Sequence, residues 1–195
     1  MSLRVTEEPV ATGLAELGRV PIAFTVERVL DVVERDGGLG GLELVERRLA
    51  PRETYVKDYD AMQGEGPARW AARFDLARWR LLLAREDGEV VGGAVVARDT
   101  PGVHMLENRR DLAVLWDLRV APARRGAGVG TALFRAAAAH AWAHGCRQLK
   151  IETQNINVAA CRFYARRGCT LGAIHRFAYP GLPDEVQLLW YRTLP

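Results

Sequence analysis

Two arginines and three glycines at alternate positions, Arg124-Arg125-Gly126-Ala127-Gly128-Val129-Gly130, stand between an apolar run ending at Val120 and an alanine-rich run beginning at Val129. The first turn of a helix carries N–H groups without internal partners and a partial positive charge. Glycines at its mouth remove the side chains that would hold an anion off, so this turn suits phosphate oxygens. Arg124 and Arg125 beside it add charge-assisted contacts. Further along, Asn157 and Tyr164 lie seven residues apart, two helical turns, and so share one face. An amide and a phenol looking the same way can hold a ligand and give up a proton. A helix cap and a half-buried tyrosine would produce the same pattern.

Several chemistries compete for the glycine turn. It can be no more than a tight strand-to-helix connection. A dinucleotide fingerprint requires Gly-x-Gly-x-x-Gly, and Thr131 stands where the last glycine belongs. A P-loop requires Gly-Lys-Ser/Thr, which is missing. The remaining reading is the diphosphate of an acyl-coenzyme A.

Arg125-Gly126-Ala127-Gly128-Val129-Gly130 resembles the Arg/Gln-x-x-Gly-x-Gly/Ala motif of the GNAT superfamily of N-acetyltransferases. Asn157-x-x-Ala160-x-x-Phe163-Tyr164-x-x-x-Gly168 resembles the second signature of that superfamily, in the same order along the chain. Two departures stand out: Ala127 replaces a common Lys or Arg, and Cys169 replaces the usual Phe. The resemblance implies acetyl-CoA as cofactor. The main chain of Leu118, Arg119 and Val120 would pair with its pantetheine arm, and that of Arg125 to Thr131, Ala127 included, would take its diphosphate. Asn157 and Ala160 would contact the arm, with Tyr164 beside the thioester sulfur. The implied fold is mixed α/β: a mostly antiparallel, twisted sheet of about six to seven strands flanked by helices, its fourth and fifth strands splayed. The runs at 55–60 and 152–164 and the ending Glu185-Val186-Gln187-Leu188-Leu189-Trp190-Tyr191 are further similar to the streptothricin acetyltransferase group.

Acyl transfer from a thioester to an amine poses two proton problems. An ammonium with a pKa near ~10 must be deprotonated, and a departing thiolate near ~8.5 profits from a proton. Tyr164 suits the second task. For the first, Asp117 and Glu152 are the candidates, acting directly or through water; both can equally be strand charges that only attract the cation. A cationic acceptor, a small polyamine-like or antibiotic-like molecule, would find Asp58, Asp60 and Glu65, with Tyr55 and Tyr59 adding cation–π contacts. Asp184 and Glu185 are further candidates. His140 and His144 are spaced for a metal but lack a third ligand, so no metal is expected. Cys161 lacks an activating base, which argues against an acyl-cysteine route.

The elements that must position these groups follow from the pattern. Residues 22–33 and 42–49 read as a hairpin around the glycine-rich stretch 37–41, and 79–85 and 89–98 as another around Asp87-Gly88. Strands are expected at 112–120, 148–153, 170–179 and 185–191. Helices are expected at 68–75, from Val129 to a stop at Gly145, and at 158–167. Residues 1–20 are weakly patterned and expected to be poorly ordered or to pair with a partner chain. Residues 21–195 are expected to form one domain.

Composition agrees with such an enzyme. The 195-residue chain is 49% hydrophobic and 26% charged, with 27 basic against 24 acidic residues and a net charge of +3. The basic residues are spread along the chain and form no concentrated stripe, so nucleic acid is not an expected partner. Three cysteines fit a reducing compartment. No apolar stretch reaches a membrane span, so a cytoplasmic location is expected, with a homodimer as the expected assembly.

Overall fold

The computed structural model describes residues 2–62 and 64–195. Its elements run β1 (Leu3–Glu8), α1 (Val10–Leu17), β2 (Phe24–Val26), β3 (Arg28–Glu34), β4 (Leu42–Arg48), β5 (Tyr55–Lys57), α2 (Pro67–Arg73), β6 (Arg80–Glu86), β7 (Glu89–Arg98), β8 (Leu112–Val120), α3 (Val129–Ala143), β9 (Gln148–Gln154), α4 (Val158–Arg166), β10 (Thr170–His175) and β11 (Gln187–Thr193). Seven strands make one sheet in the order β1-β6-β7-β8-β9-β11-β10, with β2-β5 and β3-β4 as separate pairs. Within the stretch expected to be one domain, the described residues group into two units. One holds residues 2–23, 58–62, 64–150 and 193–195, and the other 24–57 and 151–192.

In the first unit, β1, β6, β7 and β8 pair antiparallel in sequence. The β6–β7 turn works because Asp87 (φ 49°) and Gly88 (φ 90°) both accept left-handed backbone. The N-terminal segment differs from expectation: Leu3 to Glu8 pair with Glu86 to Leu81, and α1 buries Val10 and Leu17. A helix of eight residues with Gly13 inside it has little intrinsic stability, so packing forms it. Gly92 and Gly93 in β7 make that packing possible. A Cβ at Gly93 would lie 2.5 Å from Leu17 Cδ1; one at Gly92 would lie 3.1 Å from Val129 and 3.2 Å from Leu133 of α3. Around Val95 and Val114, a cluster including Trp70, Trp79, Phe74 and Trp116 fills the core. The Trp79 indole donates to Thr100 Oγ1 at 3.0 Å. Opposite β7, β8 bulges at Trp116: Val96 faces Leu115 and Val95 faces Asp117.

In the second unit, β3 pairs β4 across the glycine-rich turn, as the pattern predicted. Residues 24–26 break away to pair with β5 instead. Asn155, just past β9, fastens this unit. Its side chain accepts from Val186 N at 2.8 Å and donates to Leu30 O at 3.2 Å, and its own carbonyl accepts from Leu30 N at 2.9 Å. β10 is shorter than expected, stopping at His175, and β11 is shifted toward the C-terminus, running from Gln187 to Thr193. Pro180 and Pro183 cannot donate to a ladder, so residues between them turn instead. Among the described residues no helix is long and apolar enough to cross a membrane.

Candidate active site

The glycine turn lies in the first unit, between β8 and α3. Gly126 holds φ 81° and Gly128, which precedes the first residue of α3, holds φ 90°. A Cβ at either would meet nothing within 4 Å, so the turn presents bare main chain to open space. Val129 is buried against β7, which anchors the helix start, while residues 125–128 are exposed. This arrangement fits an extended diphosphate: the first-turn amides of α3 have no carbonyl four residues back inside the helix.

The two arginines divide their work. Arg124 pairs with Glu86, whose charge cancels its own. Arg125 instead donates to Val120 O at 3.1 Å and Ala23 O at 2.8 Å. Carbonyls orient that guanidinium but leave its charge uncancelled, although burial draws its pKa down.

Asp117 and Arg119 follow the bulge and turn the same, buried way. Arg119, 2% exposed, donates to both Asp117 oxygens at 2.9 and 2.6 Å and to both Asp60 oxygens at 2.5 and 3.2 Å. Its remaining contact is Val20 O at 3.2 Å. Burial works against the arginine's charge, yet bonds to the two carboxylates hold its pKa above the ordinary value. Burial raises the Asp117 carboxyl against the pull of Arg119. Both carboxylates therefore carry a structural duty: each Asp117 oxygen accepts from the buried Arg119 guanidinium, and Asp60 pairs both of its oxygens with the same cation. Asp58 also has a local duty, accepting from Asp60 N at 3.1 Å. Tyr59 is half-buried.

The second unit carries the other half of the expected set. Asn157 caps α4, its side chain accepting from Ala160 N at 3.1 Å. The remainder of α4 follows its apolar face: Val158, Cys161 and Tyr164 are buried. The Tyr164 ring is 6% exposed and meets Phe163 edge-on at 5.1 Å. Cys161 shares a contact of 3.4 Å with Thr153 Oγ1, and burial pushes its thiol up. Burial pushes Cys169 further, to about 11. Tyr55 is exposed on β5; burial, then the charges of Glu185 and Asp184, raise its phenol. Glu185 is buried and paired with Lys57.

Glu152 is treated unlike Asp117. Tyr179 Oη donates to its Oε1 at 2.5 Å, Gln154 Nε2 to the same oxygen at 3.3 Å, and Gln187 Nε2 to Oε2 at 2.7 Å. All three donors are neutral, so the carboxylate is oriented without being cancelled. Tyr179 and Gln187 escape a reading of the sequence because Tyr179 reads only as the end of the strand expected at 170–179, whereas the structure sets it in the turn-rich run after β10. Gln187 carries no signal beyond a strand position. Among the described residues no group of three or more His, Cys, Asp or Glu is placed to hold a metal.

Comparison with known proteins agrees with this geometry. The model of the acetyltransferase (GNAT) family matches residues 47–169, which include the glycine turn and α4. A streptothricin acetyltransferase of Escherichia coli is 31% identical over 172 residues, covering 86% of this chain and 84% of that protein. Streptothricin acetyltransferase A of Bacillus subtilis is 35% identical over 91 residues, 46% of this chain and 53% of the relative, so the match spans about half of that protein. A structure from Bacillus anthracis assigned to the streptothricin acetyltransferases, in complex with acetyl coenzyme A, superposes with a TM-score of 0.75 at 23% identity. That likeness covers 99% of this chain and 100% of that one. The chain therefore belongs to the GNAT family of acetyltransferases.

Proposed function

We propose that this protein moves an acetyl group from acetyl-CoA to a primary amine of a small cationic molecule of the streptothricin type, by direct attack. The observation that carries the reading is the bare glycine main chain at the mouth of α3, inside a family match that also holds α4. Residues 125–131 would hold the diphosphate through main-chain amides, with the charge of Arg125 alongside. Leu118 to Val120 would line the pantetheine arm, and Asn157 and Ala160 would flank it. Acetyl-CoA, when bound, supplies the activated acetyl thioester.

This chain's residues then manage two protons. Glu152, a carboxylate held by neutral donors, takes a proton from the acceptor ammonium. Tyr164, on the buried face of α4, returns one to the sulfur that leaves. Positioning supplies much of the acceleration, since both groups are fixed by packing before substrates arrive. Tyr55 offers an aromatic face to the cation. A cytoplasmic setting, where acetyl-CoA is at hand, and a homodimer formed through the exposed edges of the sheet belong to the same reading.

Thiol release from acetyl-CoA in the presence of streptothricin tests it. Turnover is expected with this acceptor, and Tyr164→Phe is expected to lower kcat about tenfold or more while acetyl-CoA affinity holds. Cofactor binding without turnover on any amine would instead indicate an acyl-CoA sensor. Preference for a peptide amine would point to a protein acetyltransferase.

A further inference from the structure

The group around Glu152 contains more than a base needs for support. Tyr179 Oη sits between two fixed partners: it donates to Glu152 Oε1 at 2.5 Å and accepts from Gln154 Nε2 at 3.1 Å. Since an amide nitrogen can only donate here, the phenolic proton has one destination, the carboxylate. Burial first, then the charge of Glu152 and its hydrogen bond, raise the Tyr179 phenol, so the proton stays on the tyrosine at working pH. Gln187 fixes the opposite oxygen at 2.7 Å. Among the described residues Oε2 thus accepts a single bond and has capacity for one more. Among the described residues neither lysine nor arginine is one of these partners, in contrast to Asp117, whose donor is the charged Arg119 guanidinium.

We propose that Tyr179 is a positioning residue for acetyl transfer: its hydroxyl, with Gln187, holds the Glu152 carboxylate so that Oε2 faces the acceptor ammonium. This rests on the proposed role of Glu152 as the base. Tyr179 sits in the turn-rich segment between β10 and β11, outside the two motifs that mark the cofactor half of the site. The hydroxyl's contribution is geometric. Without it Oε1 loses its shortest bond, and the carboxylate rotates among solvated orientations of which few point at the amine.

The test is a double-mutant cycle read by thiol release, with streptothricin and spermidine as acceptors at saturating acetyl-CoA. Tyr179→Phe keeps the ring and removes only the hydroxyl. It is expected to lower kcat about tenfold, as the loss of one hydrogen bond to a charged group does. KM for acetyl-CoA should stay at the wild-type value, and the variant should remain folded at the assay temperature. Glu152→Gln should lower kcat about a hundredfold or more. In the Glu152→Gln background, adding Tyr179→Phe should cost nothing further, because nothing remains to be positioned. Gln187→Met approaches the same carboxylate from its other oxygen and should show the same lack of additivity. Wild-type kcat in Tyr179→Phe, or losses that multiply in the double variant, would overturn the proposal. Wild-type turnover in Glu152→Gln would instead remove the base on which it rests. No thiol release with either amine would overturn the proposed function itself.

Discussion

Asp117 and Glu152 are both acidic strand residues, and their surroundings give them opposite duties. Asp117 is locked to a guanidinium that is itself 2% exposed, whereas Glu152 is met by a phenol and two amides. Removing one partner of a buried ion pair leaves the other charge stranded, which costs more than the pair contributes. Asp117→Asn leaves Arg119 with Asp60 as its remaining carboxylate and is expected to destabilise the fold by about 1–3 kcal/mol, visible as a lower urea midpoint. The loss of activity should follow the loss of folded protein. Spacing alone does not separate the two carboxylates, because an Asp two residues before an Arg on a strand can face water or core. The bulge at Trp116, which no residue type announces, decides it. Asn157 and Tyr164 were legible for the converse reason: cap and phenol are set by helical period, a local property that α4 preserves.

At the level of elements, the motif-bearing strands and helices stand where their patterns put them, and the misreadings gather where tertiary contact overrides local preference. β8 runs from Leu112 to Val120 as expected, while α1 was missed because Gly13 and its short length hide a helix that packing sustains. Gly93 is the hinge of that packing. Gly93→Ala puts a methyl 2.5 Å from Leu17 Cδ1 and is expected to cost about 1–3 kcal/mol, read as a fall in thermal midpoint. A second consequence concerns His140, on α3, whose Nδ1 lies 3.3 Å from Glu7 of β1. Burial lowers its pKa, outweighing the opposing pull of Glu7, while His144 and Arg80 lower it further. The unfolded chain therefore binds a proton near pH 6.5 that the folded chain resists, and stability rises with pH across that window. Acidification below about pH 6.5 should lower the urea midpoint, and His140→Gln should flatten that dependence.

For the whole molecule, the net charge of +3 opposes a cationic acceptor and favours an anionic cofactor. Affinity for acetyl-CoA is expected to weaken as salt rises from 0.05 to 0.5 M, roughly as screened charge pairs do. Calorimetry on variants locates the source. Arg125→Gln should shrink the salt dependence, and Arg124→Gln should shrink it less, because Glu86 already cancels Arg124. The family, the glycine turn, the cap of α4 and the sheet's middle strands were legible because each depends on neighbours close in sequence. The partners of Asp60 and Glu152 were not, because they come from 59 and 27 residues away.

Asp60 constrains how this protein can be engineered. Its carboxylate fastens the polar run after β5 to Arg119, on the strand that leads into the glycine turn. A campaign to broaden the range of amines would naturally randomise this run, and most of its members would lose the tether and accumulate as misfolded protein. Libraries that keep position 60 acidic and vary only the residues flanking it should yield soluble clones at a much higher rate.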